Sequence, residues 1–189
     1  MKLQLAIDLE DIQGAIDLIQ KTKDSIDIFE YGTPLVINFG LEGLKKIRAE
    51  FPDITLLADL KIMDVASYEV NQAFVYGADI TTILGVAEDQ SIKDAVKAAH
   101  EAGKELLVDM IGVQDIATRA REIDAFGADY IGTHTGYDLQ ALGQDPGGIK
   151  LTAAEEIKSA NPDLLIIGGA ISTVDDPATA AAEFKKLLG

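Results

Sequence analysis

The 189-residue chain contains no cysteine, which excludes disulfides, thiolate zinc sites, iron–sulfur clusters and a thiol nucleophile. That absence fits a reducing cytosol. Basic residues are scarce, with 16 Lys and Arg against 32 Asp and Glu and a formal net charge of −16. A surface of that sign repels nucleic-acid phosphates and anionic lipid, so neither nucleic acid nor a membrane is expected as a partner. No apolar run reaches the roughly 18 residues of a membrane span. Only Lys2 separates Met1 from Leu3-Gln4-Leu5-Ala6-Ile7, with no cluster of basic residues and no small-residue cleavage site, and the expected location is the cytoplasm. A glycine-rich dinucleotide fingerprint is missing too, since Asp8-Leu9-Glu10-Asp11 follows the first apolar segment. What is present, 48% hydrophobic and 25% charged residues, suits one globular domain over residues 1–189.

Short apolar segments alternate with stretches of helical spacing. The strand candidates are Leu3 to Asp8, Ile26 to Glu30, Ile54 to Asp59, Asp79 to Leu84, Glu105 to Met110, Asp129 to His134 and Leu164 to Ile167. Between them, apolar residues such as Ile12, Ala15, Ile16 and Ile19, or Leu41, Leu44 and Ile47, fall on one helix face. Asp59, Leu84, Asp109 and His134 stand 25 residues apart in succession, the length of one strand, one crossover helix and two loops. Such a period predicts a parallel sheet covered by helices, and without the dinucleotide fingerprint a closed (β/α)8 TIM-type barrel is preferred to an open doubly wound sheet.

Barrel enzymes build their sites at the C-terminal ends of the strands. Here those ends carry Asp8, Glu30, Asp59, Lys61, Asp109 and His134, ionisable groups where stability alone asks for small or apolar residues. In Asp59-Leu60-Lys61-Ile62-Met63-Asp64, strand alternation puts both Asp59 and Lys61 on the face of Leu57, while Asp64 lies past the strand before a helix near Ser67. Taken alone, that spacing also fits an ion pair and a helix-dipole acid. Glu30 alone fits a solvated strand end, and paired with Asp59 it becomes a ligand candidate. His134 is one of two histidines and suits general-base work, whereas His100 sits inside a helix. Asp109 has two uses open to it, orienting the base or binding substrate hydroxyls. Gly147-Gly148 and Gly168-Gly169-Ala170 can bring backbone amides to a phosphate, although glycine pairs are also common in turns.

Five segments fall in an order that resembles the orotidine monophosphate decarboxylase superfamily and, within it, the 3-hexulose-6-phosphate synthase family. They are Leu5-Ala6-Ile7-Asp8, Glu30-Tyr31-Gly32-Thr33-Pro34, Ala58-Asp59-Leu60-Lys61-Ile62-Met63-Asp64, Val108-Asp109-Met110 and His134-Thr135-Gly136-Tyr137-Asp138-Leu139-Gln140. Glu-x-Gly-Thr and Asp-x-Lys-x-x-Asp are shared with 3-keto-L-gulonate-6-phosphate decarboxylases, so that activity is the alternative, with a non-catalytic phosphate-binding barrel as the other. Asp109, where those decarboxylases usually carry glutamate, and Tyr137, where they usually carry arginine, lean toward the synthases. The resemblance implies an Mg²⁺-dependent aldol-type lyase joining formaldehyde to D-ribulose 5-phosphate. Glu30 and Asp59 would be the metal ligands, and Asp8, Lys61, Asp64, Asp109 and His134 the catalytic residues. The phosphate would lie on Gly147, Gly148, Gly168, Gly169 and Ala170. It also implies a homodimer with shared sites, Asp64 reaching the neighbouring one. Against the synthase pattern, one helix and the seventh strand are missing between Pro146 and Gly147, which agrees with seven strand candidates and a broken period.

Overall fold

A computed structural model describes residues 1–142, 154, 157 and 162–188. In chain order the elements are β1 (Lys2–Ile7), α1 (Ile12–Thr22), β2 (Ile28–Tyr31), α2 (Thr33–Glu50), β3 (Thr55–Ile62), α3 (Ala66–Val75), β4 (Ile80–Leu84) and α4 (Asp89–Glu101). They continue with β5 (Glu105–Asp109), α5 (Ile116–Phe126), β6 (Tyr130–Gly132), α6 (Tyr137–Ala141), β7 (Leu164–Ile167), α7 (Gly169–Ser172) and α8 (Pro177–Leu188). The chain forms two compact units, residues Met1–Leu56 with Gly148–Gly189, and residues Leu57–Gly147.

In the first unit β1 lies between β2 and β7 and pairs with both in parallel, Leu5 facing Phe29 on one side and Ile167 on the other. Five of the six β1 residues are buried, so both faces of the strand are covered, as a parallel sheet under helices requires. Helix α1 starts where Asp11 accepts from the Gly14 amide at 2.7 Å, and it buries Ala15, Ile16, Leu18 and Ile19. Helix α2 kinks at Gly40, whose φ of 57° suits glycine. The kink turns the Gly40 carbonyl to the buried Tyr31 hydroxyl, which donates to Leu35 O and Gly40 O, each at 2.9 Å. Burial pushes the Tyr31 phenol up to about 12, so it stays a donor at any physiological pH. Lys185 of α8 reaches Asp27 at 2.6 Å, and the same carboxylate accepts from the Leu3 amide at 2.8 Å, tying the last helix to the start of the sheet.

In the second unit β3, β4, β5 and β6 are parallel neighbours in sequence order. Ile83, Leu106 and Val108 of the strands pack with Val70, Ile92, Ala95, Ala99 and Ile123 of helices α3 to α5 into one apolar core. Helix α5 is capped by Asp115, which accepts from Thr118 N at 3.1 Å, and it ends at Gly127 with φ 92°.

The seven strands lie within one to three residues of the expected segments, and the expected parallel pairing holds in each unit. β3 runs three residues beyond Asp59, because its register against β4 shifts and takes the charged motif into the strand. β6 stops at Gly132, leaving His134 two residues past its end. Among the described residues β7 pairs only with β1, and β6 only with β5. The expected junction at Pro146 and Gly147 lies outside the described residues. No helix among the described residues is long and apolar enough to cross a membrane.

Candidate active site

The structure brings Asp59 and Lys61 together on β3. Asp59 is 4% exposed, and its Oδ2 accepts from Lys61 Nζ in a direct ion pair. Burying a carboxylate so far from water is costly unless it is paired, and the Lys61 ammonium pairs it. Strand alternation sets both on one face, but the backbone between them departs from a regular strand. Lys61 has φ 49°, a left-handed conformation unusual for a residue with a side chain, and the strand bulges there. Thr82 on β4, 3% exposed, supplies what the broken ladder lacks: its Oγ1 accepts from Lys61 N and donates to Asp59 Oδ1, both at 2.9 Å. Sequence reading did not single out Thr82. The signal was there in Thr81-Thr82, two hydroxyls in a strand otherwise of Ile and Leu whose residues are nearly all buried.

Asp109 ends β5 and is 6% exposed, while His134 follows β6 in a more open position. They meet at 2.8 Å between His134 Nδ1 and Asp109 Oδ2, and the other oxygen, Oδ1, accepts from Ile111 N at 2.9 Å. The hydrogen bond to Asp109 raises the His134 pKa above its ordinary value, with burial opposing and the Asp109 charge adding. Protonated His134 therefore stabilises the folded chain fully below the unfolded value of 6.5, and that contribution is lost as pH rises through the higher folded value. A proton-NMR titration is expected to find His134 above 6.5, and Asp109→Asn to bring it down.

Asp8 and Glu30 belong to the first unit. Asp8 follows β1 and lies against two glycines: its Oδ2 is 3.9 Å from where a Cβ on Gly168 would be, and a Cβ on Gly32 would overlap its Oδ1. The same Cβ would come 2.6 Å from Ile7 O, a backbone atom that cannot swing away. Gly32→Ala is accordingly expected to cost about 1–3 kcal/mol in urea unfolding and to displace the Asp8 carboxylate. Glu30 Oε2 accepts from Gln4 Nε2 at 2.6 Å. Gln4 is 1% exposed, and its Oε1 is buried without a hydrogen-bond partner among the described residues. Gln4 was another omission of sequence reading, and the sign of it was an amide inside an apolar strand.

Asp64 stands exposed in the turn after β3, where it helps hold the Glu69 pKa up, second to burial. Gly168, Gly169 and Ala170 form the turn from β7 into α7, and the first amides of such a turn have no intrahelical acceptor. Gly147 and Gly148 lie outside the described residues. Among the described residues no group of three or more His, Asp or Glu side chains could cage a metal ion. Mg²⁺ does not require such a cage, because it binds through one or two carboxylates and keeps waters and substrate oxygens. Glu30 and Asp59 each carry hard carboxylate oxygens of the kind that Mg²⁺ takes.

A family described as "Orotidine 5′-phosphate decarboxylase / HUMPS family" matches residues 1–144. A Staphylococcus saprophyticus protein named 3-hexulose-6-phosphate synthase 2 is 51% identical, the match covering 100% of this chain and 97% of the relative. That match runs over 207 aligned positions against the 189 residues of this chain, so the relative carries residues that the chain lacks. The crystal structure of 3-hexulose-6-phosphate synthase from Salmonella typhimurium is 37% identical, with a TM-score of 0.95 and coverage of 100% of this chain and 98% of that one. A 3-keto-L-gulonate-6-phosphate decarboxylase from Vibrio cholerae is 20% identical, with a TM-score of 0.80 over 99% of this chain and 96% of that one, and shows likeness of fold alone.

Proposed function

The chain belongs to the orotidine 5′-phosphate decarboxylase / HUMPS family, has its TIM-type α/β fold and is an enzyme of the synthase/lyase kind, and we propose that it condenses formaldehyde with D-ribulose 5-phosphate. The product is D-arabino-hex-3-ulose 6-phosphate. The observation that carries this reading is the hydrogen bond between His134 and Asp109. With Nδ1 directed at a carboxylate, the ring presents its other nitrogen as a proton acceptor, as removal of a C1 proton demands.

In this mechanism the His134 imidazole takes the C1 proton of ribulose 5-phosphate, leaving an enediolate. The C1 carbon attacks formaldehyde, a carbon–carbon bond forms, and the imidazolium returns its proton to the alkoxide derived from formaldehyde. Asp109 orients the ring and stabilises its charged form. Lys61 and Asp59 present a fixed ion pair, and Asp8, which lies beside Gly32 and Gly168, is the proposed acceptor of substrate hydroxyls. Mg²⁺ is the proposed cofactor, with Glu30 and Asp59 as its protein ligands, and when bound it supplies Lewis-acid polarisation worth several kcal/mol. Gly168-Gly169-Ala170 and Gly147-Gly148 are the proposed seat of the phosphate.

The cytoplasm is the proposed location, and a homodimer with shared sites the proposed assembly. Support for the dimer comes from the turn that carries Asp64, where Met63, Val65 and Tyr68 are 48%, 63% and 63% exposed, an apolar patch around one acid. Mixing Asp64→Asn chains with Lys61→Ala chains is expected to recover part of the activity that each has lost alone. Confirmed heterodimers without recovery would remove the shared site.

The test of the reaction is turnover of formaldehyde plus ribulose 5-phosphate against turnover of 3-keto-L-gulonate 6-phosphate, each with and without Mg²⁺. The expected result is Mg²⁺-dependent condensation with little decarboxylation. Faster decarboxylation would replace the proposal with its alternative, and no turnover of either would overturn both.

A further inference from the structure

One residue of β4 meets the charged turn of β3. Ala58 lies opposite Thr81 and Ile62 opposite Ile83, so Asp59, Leu60 and Lys61 are faced by Thr82 alone. Its hydroxyl has one proton to give, and an ionised carboxylate can only accept, so the proton goes to Asp59 Oδ1 and a lone pair remains for Lys61 N. Both bonds are 2.9 Å, and the residue is 3% exposed, with no room for water to replace either contact freely. The neighbouring Thr81 is equally buried, but it donates to Ala58 O, a backbone atom, and touches neither charge.

We propose that Thr82 is a positioning residue for the reaction, its hydroxyl holding the Lys61 backbone in the left-handed bulge and the Asp59 carboxylate in one rotamer so that the ion pair keeps its working geometry. This rests on the reading of Asp59 and Lys61 as active-site groups. Without the hydroxyl, the Lys61 amide loses the acceptor that β4 gives it, just where the β3–β4 ladder is interrupted. The left-handed turn at Lys61 then loses an anchor, and the Lys61 side chain is no longer held at a fixed setting beside the carboxylate. The Lys61–Asp59 pair would lose its fixed geometry. Serine keeps the donor and the acceptor and loses only a methyl group, whereas valine keeps the shape and loses both.

The experiment compares Thr82→Val, Thr82→Ser and Thr81→Val with the unaltered protein, reading kcat, KM for ribulose 5-phosphate and amide hydrogen exchange at Lys61. Thr82→Val is expected to lower kcat by about 10- to 100-fold, the loss typical of a group that orients an active-site ligand, with KM nearly unchanged. Its Lys61 amide should exchange at least about tenfold faster than in the unaltered protein, as an unbonded amide does. Thr82→Ser should restore both readings, and Thr81→Val should leave kcat and the Lys61 amide as they were. A Thr82→Val protein with a protected Lys61 amide and full kcat would overturn the proposal, as would a serine variant as damaged as the valine one. If Thr82→Val does not fold, Thr82→Ala serves the same comparison. Should the unaltered protein fail to turn over formaldehyde and ribulose 5-phosphate, the reaction proposed above falls. The exchange reading still decides whether Thr82 holds the bulge.

Discussion

Glu30→Gln and Asp59→Asn are each expected to lower turnover by about 10²–10⁴-fold, the rate equivalent of the several kcal/mol that a Lewis acid contributes. Chelation of Mg²⁺ from the unaltered protein should cause a loss of the same size, reversed when Mg²⁺ is added back. The two substitutions differ in what else they disturb. A glutamine at position 30 still presents an oxygen to Gln4 Nε2, so the local hydrogen bond survives and only the charged ligand is lost. An asparagine at position 59 still accepts from Thr82, but its amide then faces the Lys61 ammonium, a donor against a donor. Lys61 is 28% exposed in its side chain and can turn to water, so the chain should remain folded while the ion pair is lost. Glu30→Gln is therefore the cleaner measure of the metal. Circular dichroism and a melting curve check folding, and calorimetry with MgCl₂ checks the ligand directly. Full activity in either variant, or activity indifferent to chelation, would remove the metal from the proposal.

The sheet was legible because parallel strands are covered on both faces. Leu3 to Ile7, followed by Asp8, and Leu106 to Val108, followed by Asp109, read as near-continuous apolar runs that stop at an acid, and the 25-residue steps from Asp59 through Leu84 and Asp109 to His134 left room for one helix each. Glu30, Asp109 and His134 were legible for the same reason, as ionisable groups at or just beyond the end of a run that stability alone would fill otherwise. What local reading missed depends on pairing between strands. That β3 continues through Lys61 follows from a register shift against β4, and a lysine with φ 49° is disfavoured by its own backbone until Thr82 bonds its amide. Gln4 stood only as one letter of the first apolar segment, and its contact with Glu30 arises only when β1 and β2 align Ala6 with Glu30 and Gln4 with Ile28. The strand number is a different case: the break in the 25-residue period was visible in the sequence, and seven strands are found among the described residues.

His134→Asn is expected to slow exchange of the C1 proton of ribulose 5-phosphate with solvent by about 10²–10⁴-fold, the range for removal of a general base. Asparagine can still donate to Asp109 Oδ2, so the loop after β6 keeps its anchor, but it has no nitrogen that takes up a proton near neutral pH. Binding of the sugar phosphate should change by less than about threefold, because uniform binding and proton transfer are separable contributions. The pH dependence separates His134 from a merely structural histidine. Its pKa is raised chiefly by the hydrogen bond to Asp109, so the acid limb of the exchange rate in the unaltered protein should lie above 6.5. Asp109→Asn removes that hydrogen-bond acceptor charge and should move the limb to lower pH while reducing the maximum, since a less basic imidazole takes the proton less readily. In His134→Asn the limb should vanish. A variant that exchanges the C1 proton at the original rate, with the original acid limb, would show that the base is another group and that Asp109 and His134 together only brace the ends of β5 and β6.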